Sequence, residues 1–238
     1  MTIRLGVVMD PIGSINIKKD STFAMLLAAQ KRGFELFYME QGDLFVQDGR
    51  AFARMRMVSV QDDPISWFSF HEESVQPLAN LSVVLMRKDP PFDMNFIYTT
   101  YILERAESEG LLVVNKPQAL RDHNEKFAAT EFPQCTPPTL VSSNSTLIKE
   151  FVRTHQDAVI KPLDGMGGAS IFRTHADDLN LSVIIETVTQ HGRTPAMVQR
   201  YIPEITDGDK RILLVDGKPV PYCLARIPAA GEARGNLA

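Results

Sequence analysis

Apolar runs alternate with helix-like segments through the first half of the chain. Ile3 to Met9 is an almost unbroken apolar run, and Glu35 to Met39 is a second one. A helix is predicted between them, because Asp20 or Ser21 can cap its start and Gly33 follows its end, where a left-handed residue often closes a helix. The pattern predicts a β-α-β unit with buried parallel strands.

The same alternation continues with an antiparallel addition and further elements. Asp48-Gly49, between two apolar runs, is typical of a two-residue hairpin turn. Leu78 to Met86 is predicted to be a strand, Phe92 to Glu109 a helix, and Leu111 to Val114 the next strand. We therefore expect a first α/β domain over residues 1–121.

From Arg121 onwards the pattern changes and predicts a second domain over residues 122–238. Asp122 to Thr130 is predicted to be a short helix that carries Lys126, and several prolines then indicate an irregular crossing. The later elements are predicted as helices at 143–155 and 179–189, a strand at 196–201, and two strands, 212–215 and 219–226, joined by a turn at Asp216-Gly217.

A cluster of glycines is the most informative feature of the second domain. Gly165, Gly167 and Gly168 follow an apolar run that ends at Lys161, and a second apolar run, Ala169 to Phe172, comes next. We predict a strand, a glycine-rich turn and a returning strand. Glycine tolerates positive φ and lets backbone N–H groups approach an anion closely, so a phosphate is the expected ligand.

Two common phosphate-binding loops do not match this stretch. A P-loop carries its lysine after the glycines, whereas Lys161 precedes them. The dinucleotide motif G-x-G-x-x-G would have Ser170 in place of its third glycine, and a strand rather than a helix is predicted to follow. A hairpin folded over phosphates fits the pattern, and a solvent-exposed turn is the alternative.

Composition restricts the classes of function. The 238 residues are 44% hydrophobic and 23% charged, with a formal net charge of −4, and no tract rich in lysine and arginine indicates nucleic acid as a partner. The first apolar run is too short for a membrane span or a signal peptide, so we expect a cytoplasmic protein with no membrane partner. Cys135 and Cys223 lack metal-binding or redox spacing, as do the 5 histidines, which predicts free thiols and no zinc site.

Two groups of residues are candidates for binding. The carboxyl ends of strands form the ligand crevice of an open α/β sheet, so Asp10, Ser14, Asn16 and Arg87 are expected to share one rim. Arg87 is the candidate for a substrate carboxylate, and a plain surface arginine is the alternative. Phosphoryl transfer needs positive charge over the phosphate oxygens. The candidates for it are Lys126, Lys161, the three glycines, the segment Gln199 to Ile202, Asp209, Arg211 and Arg226.

Four motifs, in this order along the chain, resemble bacterial glutathione synthetase, a family of ATP-grasp ligases. They are Arg87-Lys-Asp-Pro-Pro-Phe-Asp93, Val114-Asn-Lys-Pro117, Lys161-Pro-Leu-Asp-Gly-Met-Gly-Gly168 and Gly208-Asp-Lys-Arg211. The resemblance implies a Rossmann-like, pre-ATP-grasp domain followed by an ATP-grasp domain, and a homo-oligomer. The implied reaction joins γ-glutamylcysteine to glycine with ATP: the cysteinyl carboxylate is phosphorylated, and the glycine amine attacks the acyl phosphate.

The resemblance also implies roles for individual residues. Lys126 and Lys161 resemble the cations on the α- and β-phosphates, and Arg211 and Arg226 resemble the residues that stabilise the transferring phosphoryl group and the acyl phosphate. The implied adenine and ribose partners are Gln199, Tyr201, Ile202 and Asp209. The tail from Ile227 to Ala238 resembles a mobile active-site loop, in which Arg234 adds charge.

The resemblance further implies Mg²⁺. Family members continue beyond the position of Ala238 into a D…E-x-N motif that holds the metal, so we expect no metal ligands within this sequence and an incomplete ATP-grasp domain. Two alternatives stay open: another ATP-grasp carboxylate–amine ligase, such as a dipeptide ligase or a glutamate-adding enzyme, and a non-catalytic nucleotide-binding module.

Overall fold

The structure is a computed structural model, and it describes residues 2–228. The chain divides into two compact units, and the division falls between His123 and Asn124. Within the described residues, no helix combines the length and the apolar character that crossing a bilayer requires.

The first unit is built on a mixed sheet of seven strands. They are β1 (Arg4–Val8), β2 (Glu35–Met39), β3 (Leu44–Gln47), β4 (Arg50–Val60), β5 (Phe68–Pro77), β6 (Val83–Met86) and β7 (Leu112–Val114). The order along the sheet is β3-β4-β2-β1-β6-β7, and β5 pairs with β4. Strand β1 is parallel to β2 and β6, whereas β4 is antiparallel to its three neighbours. The predicted β-α-β start and the Asp48-Gly49 hairpin are confirmed.

The described part of this unit has three α-helices, namely α1 (Ser21–Lys31), α2 (Met94–Ser108) and α3 (Pro117–Asp122). The carboxylate of Asp20 accepts a hydrogen bond from the N–H of Phe23 and so caps α1, as predicted. Successive side chains of a strand point to opposite faces. Val7 therefore packs in a hydrophobic core with residues of α1 on one face of the sheet, and Val8 packs in a second hydrophobic core with residues of α2 on the other face.

The predicted strand over Leu78 to Met86 is wrong in its first half. Pro77 ends β5, and the N–H of Leu81 bonds to the carbonyl of Leu78, which closes a 3₁₀ turn over Leu78–Asn80. Leu78 and Leu81 are buried in the core. Their apolar side chains made this segment resemble a strand, although it does not pair in the sheet. The strand begins only at Val83.

The second unit contains a four-stranded antiparallel sheet and a separate two-stranded one. The first is ordered β10-β9-β11-β8, from β8 (Thr139–Ser142), β9 (Asp157–Pro162), β10 (Phe172–His175) and β11 (Ala196–Arg200). Helices α4 (Ser145–His155) and α5 (Leu181–Val188) pack Ile148 and Ile185 against Ile160 on one face of this sheet. The second sheet pairs β12 (Asp209–Val215) with β13 (Lys218–Arg226) around the predicted Asp216-Gly217 turn.

The glycine-rich hairpin is confirmed, but its returning strand starts at Phe172 instead of Ala169. Gly167, Gly168 and Ser170 have φ values of 68°, 79° and 57°, so left-handed backbone extends the turn.

The helix predicted for Asp122 to Thr130 is also wrong. Helix α3 already ends at Asp122, and a 3₁₀ helix covers Phe127–Glu131. Between them, the side chain of Asn124 accepts hydrogen bonds from the N–H groups of Lys126 and Phe127. An Asx turn thereby replaces helix in this interval.

Candidate functional site

The first candidate site is the rim at the carboxyl ends of β1 and β6. The N–H of Arg87 donates to the carbonyl of Val8 at 2.7 Å, and a carboxylate oxygen of Asp10 accepts from the N–H of Asp89 at 2.9 Å. The Nζ of Lys88 lies 2.9 Å from the other carboxylate oxygen of Asp10. The structure therefore brings Asp10 next to the segment that carries Arg87.

The guanidinium of Arg87 is fixed by the first turn of α1. Its Nε donates to Oγ1 of Thr22 and its Nη2 to Oγ of Ser21, both at 3.0 Å. These hydroxyls are neutral. Within residues 2–228, Arg87 also forms no ion pair with a carboxylate. Burial raises the pKa of Asp89, and the negative charges of Asp10 and Asp20 raise it further, whereas the positive charges of Lys88 and Arg87 act in the opposite direction. The rim thus combines two cations held by hydrogen bonds, Arg87 and Lys88, with crowded carboxylates.

Ser14 and Asn16 lie on the loop that follows β1, and both are exposed. The hydroxyl of Ser14 donates to the carbonyl of Pro11 at 2.7 Å, and the side-chain oxygen of Asn16 accepts from the N–H of Lys18 at 3.2 Å. Both contacts are local turns. The structure places these residues on the same loop as Asp10 without a direct bond to Arg87.

The second candidate site lies on the face of the four-stranded sheet opposite α4 and α5. The Nζ of Lys161 donates to the side-chain oxygen of Gln199 at 2.8 Å, and the side-chain nitrogen of Gln199 donates to Oγ1 of Thr139 at 3.0 Å. These residues come from β9, β11 and β8. Their neighbours Ile160 and Val198 point to the helix-covered face, because strand side chains alternate.

Lys126 and the glycine turn lie beside Lys161. The Nζ of Lys126 contacts the carbonyl oxygen of Gly165 and lies 2.6 Å from a carboxylate oxygen of Glu125. Burial lowers the pKa of Lys161, and the nearby positive charge of Lys126 lowers it further, while Glu125 acts in the opposite direction. The structure therefore brings together both predicted lysines and the predicted glycine turn.

The sequence analysis did not identify Asn124, which links these parts. Its side-chain nitrogen donates to the carbonyl of Leu163 at 3.1 Å, while its oxygen holds the backbone at Lys126. The signal that could have found it is an asparagine two residues before the candidate lysine, a pattern typical of Asx turns.

The segment after β11 is held by Arg173, which the sequence analysis also missed. The guanidinium carbon of Arg173, on β10, lies 3.7 Å from the centre of the Tyr201 ring. The same guanidinium binds both carboxylate oxygens of Asp157 at 3.1 and 2.5 Å, and the N–H of Tyr201 donates to the carbonyl of Asp157 at 3.0 Å. Ile202, the next residue, is 46% exposed.

The β12–β13 hairpin carries the remaining candidates. Arg226 and Asp209 face each other across the two strands and form two hydrogen bonds of 2.6 Å. Gly208 has a φ of 99°, and a Cβ atom there would lie 2.5 Å from the backbone oxygen of Arg226, so only glycine fits. Arg211 is exposed and has no side-chain polar partner in the described part of the chain. Arg234 lies outside the described residues.

Solved structures of other proteins define the class of this fold. A D-cycloserine synthetase is 15% identical, with a TM-score of 0.61 over 94% of this chain and 68% of its own. The D-alanyl-alanine synthetase A of Vibrio cholerae is 14% identical, with a TM-score of 0.54 over 94% and 66%. The ATP-grasp ligase PsnB is 17% identical, with a TM-score of 0.53 over 94% of this chain and 72% of its own. The fold is that of an ATP-grasp protein.

Sequence relatives define the family. The prokaryotic glutathione synthetase N-terminal domain matches residues 3–121, and the ATP-grasp domain of the same enzyme matches residues 125–238. The glutathione synthetase of Pseudomonas aeruginosa is 64% identical over 100% of this chain and 75% of its own length. The glutathione synthetase of Escherichia coli O157:H7 is 61% identical over 99% of this chain and 75% of its own length. The chain belongs to the prokaryotic glutathione synthetase family. The predicted resemblance and the predicted order of an N-terminal α/β domain and an ATP-grasp domain are confirmed.

Proposed function

We propose that this chain supplies the γ-glutamylcysteine and ATP sites of an enzyme that joins γ-glutamylcysteine to glycine and releases ADP and phosphate. The observation that carries the proposal is the cluster of Lys126, Lys161 and the Gly165 turn on the face of the sheet opposite α4 and α5. It occurs in a chain that is 64% identical to a glutathione synthetase. In this proposal, residues 1–121 bind the peptide substrate and residues 122–238 bind the nucleotide.

The two lysines are the proposed phosphate ligands. Lys161 is held by a neutral amide, and burial and the charge of Lys126 lower its pKa more than Glu125 raises it, so its charged form is only partly compensated in the free protein. Phosphate oxygens would supply that compensation. Gly165, Gly167 and Gly168 would bring backbone N–H groups to the same anion without a Cβ in the way.

The base and the ribose are assigned to the segments beyond the lysines. Gln199, Tyr201 and Ile202 form the proposed adenine hinge, and the stack of Arg173 on Tyr201 holds it in one position. Asp209 is the proposed ribose partner. Since Asp209 is bound by Arg226 at two oxygens, nucleotide binding would have to share or replace this ion pair.

The rim of the first unit is the proposed peptide site. Arg87 would bind a carboxylate of γ-glutamylcysteine, because its charge is fixed in place but not neutralised by an acidic partner at ion-pair distance among residues 2–228. Asp10, Ser14 and Asn16 would supply the neighbouring polar contacts.

The chemistry proposed is acyl phosphate formation followed by amide formation. The cysteinyl carboxylate attacks the terminal phosphorus of ATP and ADP leaves; the glycine amine then attacks the acyl carbon and phosphate leaves. Arg211, Arg226 and Arg234 are the proposed stabilisers of the negative charge on the transferring phosphoryl group.

Magnesium is implied by the family, but the described residues do not fit it. No group of three or more histidine, cysteine, aspartate or glutamate side chains within residues 2–228 could hold a metal ion. No step above is therefore assigned to a metal. A cytoplasmic location and a homo-oligomeric state, both expected from the sequence, belong to the proposal as well.

The proposal is tested by measuring ADP release with γ-glutamylcysteine and glycine, each omitted in turn. ADP formation that needs γ-glutamylcysteine, together with glutathione formation that needs glycine, is the expected result. Turnover with a different acceptor or carboxylate, and none with these two, would assign the chain another ligase reaction. Nucleotide binding without any turnover would favour a non-catalytic module.

A further inference from the structure

Two aromatic side chains hold both backbone polar groups of one residue in the rim loop. The N–H of Ile12 donates to the Tyr38 hydroxyl at 3.2 Å, and the indole N–H of Trp67 donates to the carbonyl of Ile12 at 2.8 Å. Ile12 and Tyr38 are only 2% and 1% exposed. Tyr38 lies on β2 and Trp67 immediately precedes β5, so two separate parts of the sheet fix this loop.

These two side chains belong to a continuous aromatic wall, which we define as Tyr38, Trp67, Phe68 and Phe70. Neighbouring rings have centroids 5.1 to 5.8 Å apart, from Trp67 through Phe68 and Phe70 to Tyr38. The Arg56 guanidinium lies 4.2 Å from the centre of the Phe70 ring and 4.9 Å from that of Tyr38. Aromatic and cation–π contacts of this kind are favourable, so they stabilise the arrangement of the wall.

The wall also packs in the core cluster that contains Ile12, because Trp67, Phe68 and Phe70 lie against that cluster. A Cβ atom at Gly13 would lie 3.8 Å from the tip of the Phe68 ring, which is ordinary van der Waals distance. Glu40 accepts a hydrogen bond of 2.6 Å from the Tyr38 hydroxyl and so orients it toward the N–H of Ile12. Asp10 and Ser14, two of the proposed peptide-binding residues, are each two positions from Ile12.

We propose that Tyr38 and Trp67 are positioning residues for γ-glutamylcysteine. They touch the loop backbone and hold the loop in the orientation in which its side chains meet the peptide. This inference rests on the proposed function of the rim. Without either hydrogen bond, a buried backbone group of Ile12 loses its partner and the loop shifts, and small misplacements of binding groups are costly to catalysis.

The test uses Trp67→Phe and Tyr38→Phe, which keep an aromatic ring at each position and remove the polar group. We expect each to raise the Kd and the KM for γ-glutamylcysteine about tenfold, in line with one hydrogen bond to a buried group. The Kd of a non-hydrolysable ATP analogue should stay within about twofold of its original value. Tyr98→Phe, which removes the hydroxyl of a 57% exposed tyrosine on α2, is the matched control and should change neither value.

Fluorescence gives a second readout that does not depend on turnover. Trp67 is the single tryptophan of this sequence, so the emission of the unmodified protein minus that of Trp67→Phe reports its surroundings. γ-Glutamylcysteine alone should shift this difference spectrum, with a midpoint equal to the Kd from calorimetry, and the shift should require a higher concentration in Tyr38→Phe. The ATP analogue alone should not produce it.

The outcomes separate the positioning role from the peptide site on which it rests. Normal γ-glutamylcysteine affinity in both variants, with affinity lost in Arg87→Ala, would overturn the positioning role and leave the rim as the peptide site. Equal losses of peptide and nucleotide affinity would also overturn it, because they indicate a general structural defect. Unchanged peptide affinity in Arg87→Ala itself would remove the proposed peptide site.

Discussion

Replacement of Lys161 by methionine tests the phosphate site most directly. Methionine has a side chain of similar length and can stay beside Gln199, but it removes the charge and the hydrogen bond of 2.8 Å. A hydrogen bond to a charged group contributes about 1.5 to 3 kcal/mol, which corresponds to a loss of roughly ten- to more than a hundredfold in nucleotide affinity. We expect a loss within this range.

The stability of the free protein should respond in the opposite sense. Because burial and Lys126 lower the pKa of Lys161, its charged form is disfavoured in the folded protein relative to the unfolded chain. Removing the charge should therefore leave the melting temperature of Lys161→Met unchanged or raise it. A residue whose main role was to hold Gln199 would behave differently, and its loss would lower the melting temperature.

The assay combines calorimetric titration with an ATP analogue and thermal unfolding without ligand. Lys149→Ala is the matched control, since Lys149 lies on α4, on the other side of the sheet from Lys161. Unchanged affinity and unchanged turnover in Lys161→Met would refute the assignment to phosphate. A fall in affinity that a lower melting temperature fully accounts for would refute the electrostatic reasoning.

Three other measurements test the same geometry. Arg87→Ala should raise the KM for γ-glutamylcysteine roughly ten- to more than a hundredfold and leave the Kd of the ATP analogue nearly unchanged; equal effects on both ligands would contradict the rim assignment. Between the lowered pKa of Lys161 and its ordinary value of 10.5, nucleotide binding should take up protons, because phosphate oxygens favour the charged amine. Calorimetry in two buffers of different ionisation enthalpy measures this uptake, which should be absent in Lys161→Met. Arg173→Ala should weaken nucleotide binding about two- to fivefold through loss of the stack on Tyr201, with no change for the peptide.

Local signals in the sequence predicted much of the fold. The Asp20 cap and the turns at Asp48-Gly49 and Asp216-Gly217 depend on residues adjacent in the chain, and Asp48 and Gly49 have the positive φ values that such a turn requires. Buried apolar residues misled the prediction where they lay in a turn, as at Leu78. Burial makes a segment hydrophobic whether or not it pairs in a sheet.

The charged site residues were predictable by type, whereas their supports were not. Lys161 stood out beside glycines, but Asn124 bonds to Leu163 across 39 positions, and Trp67 bonds to Ile12 across 55. A local pattern can mark Asn124 as a turn residue, but it does not identify the distant partner of either side chain, because only the folded chain brings Leu163 and Ile12 into range. The sequence therefore identified Lys161, whereas Asn124 and Trp67, which bond to backbone far away in the chain, were missed.

The two candidate sites share one structural feature. In each unit, a cation lies at the end of a strand, and a neutral side chain from elsewhere fixes a loop of the same site through its peptide groups: Trp67 at Ile12 and Asn124 at Leu163. Neither support adds a negative charge to the acidic groups already near the cations, which are Glu125 beside Lys126 and the carboxylates of Asp10 and Asp89 in the rim. A carboxylate at either position could not donate to the backbone carbonyl, and its negative charge would oppose an anionic ligand. Replacing Asn124 by aspartate should therefore weaken nucleotide affinity, measured by calorimetry, because it removes the donor to the Leu163 carbonyl and places a negative charge beside Lys126.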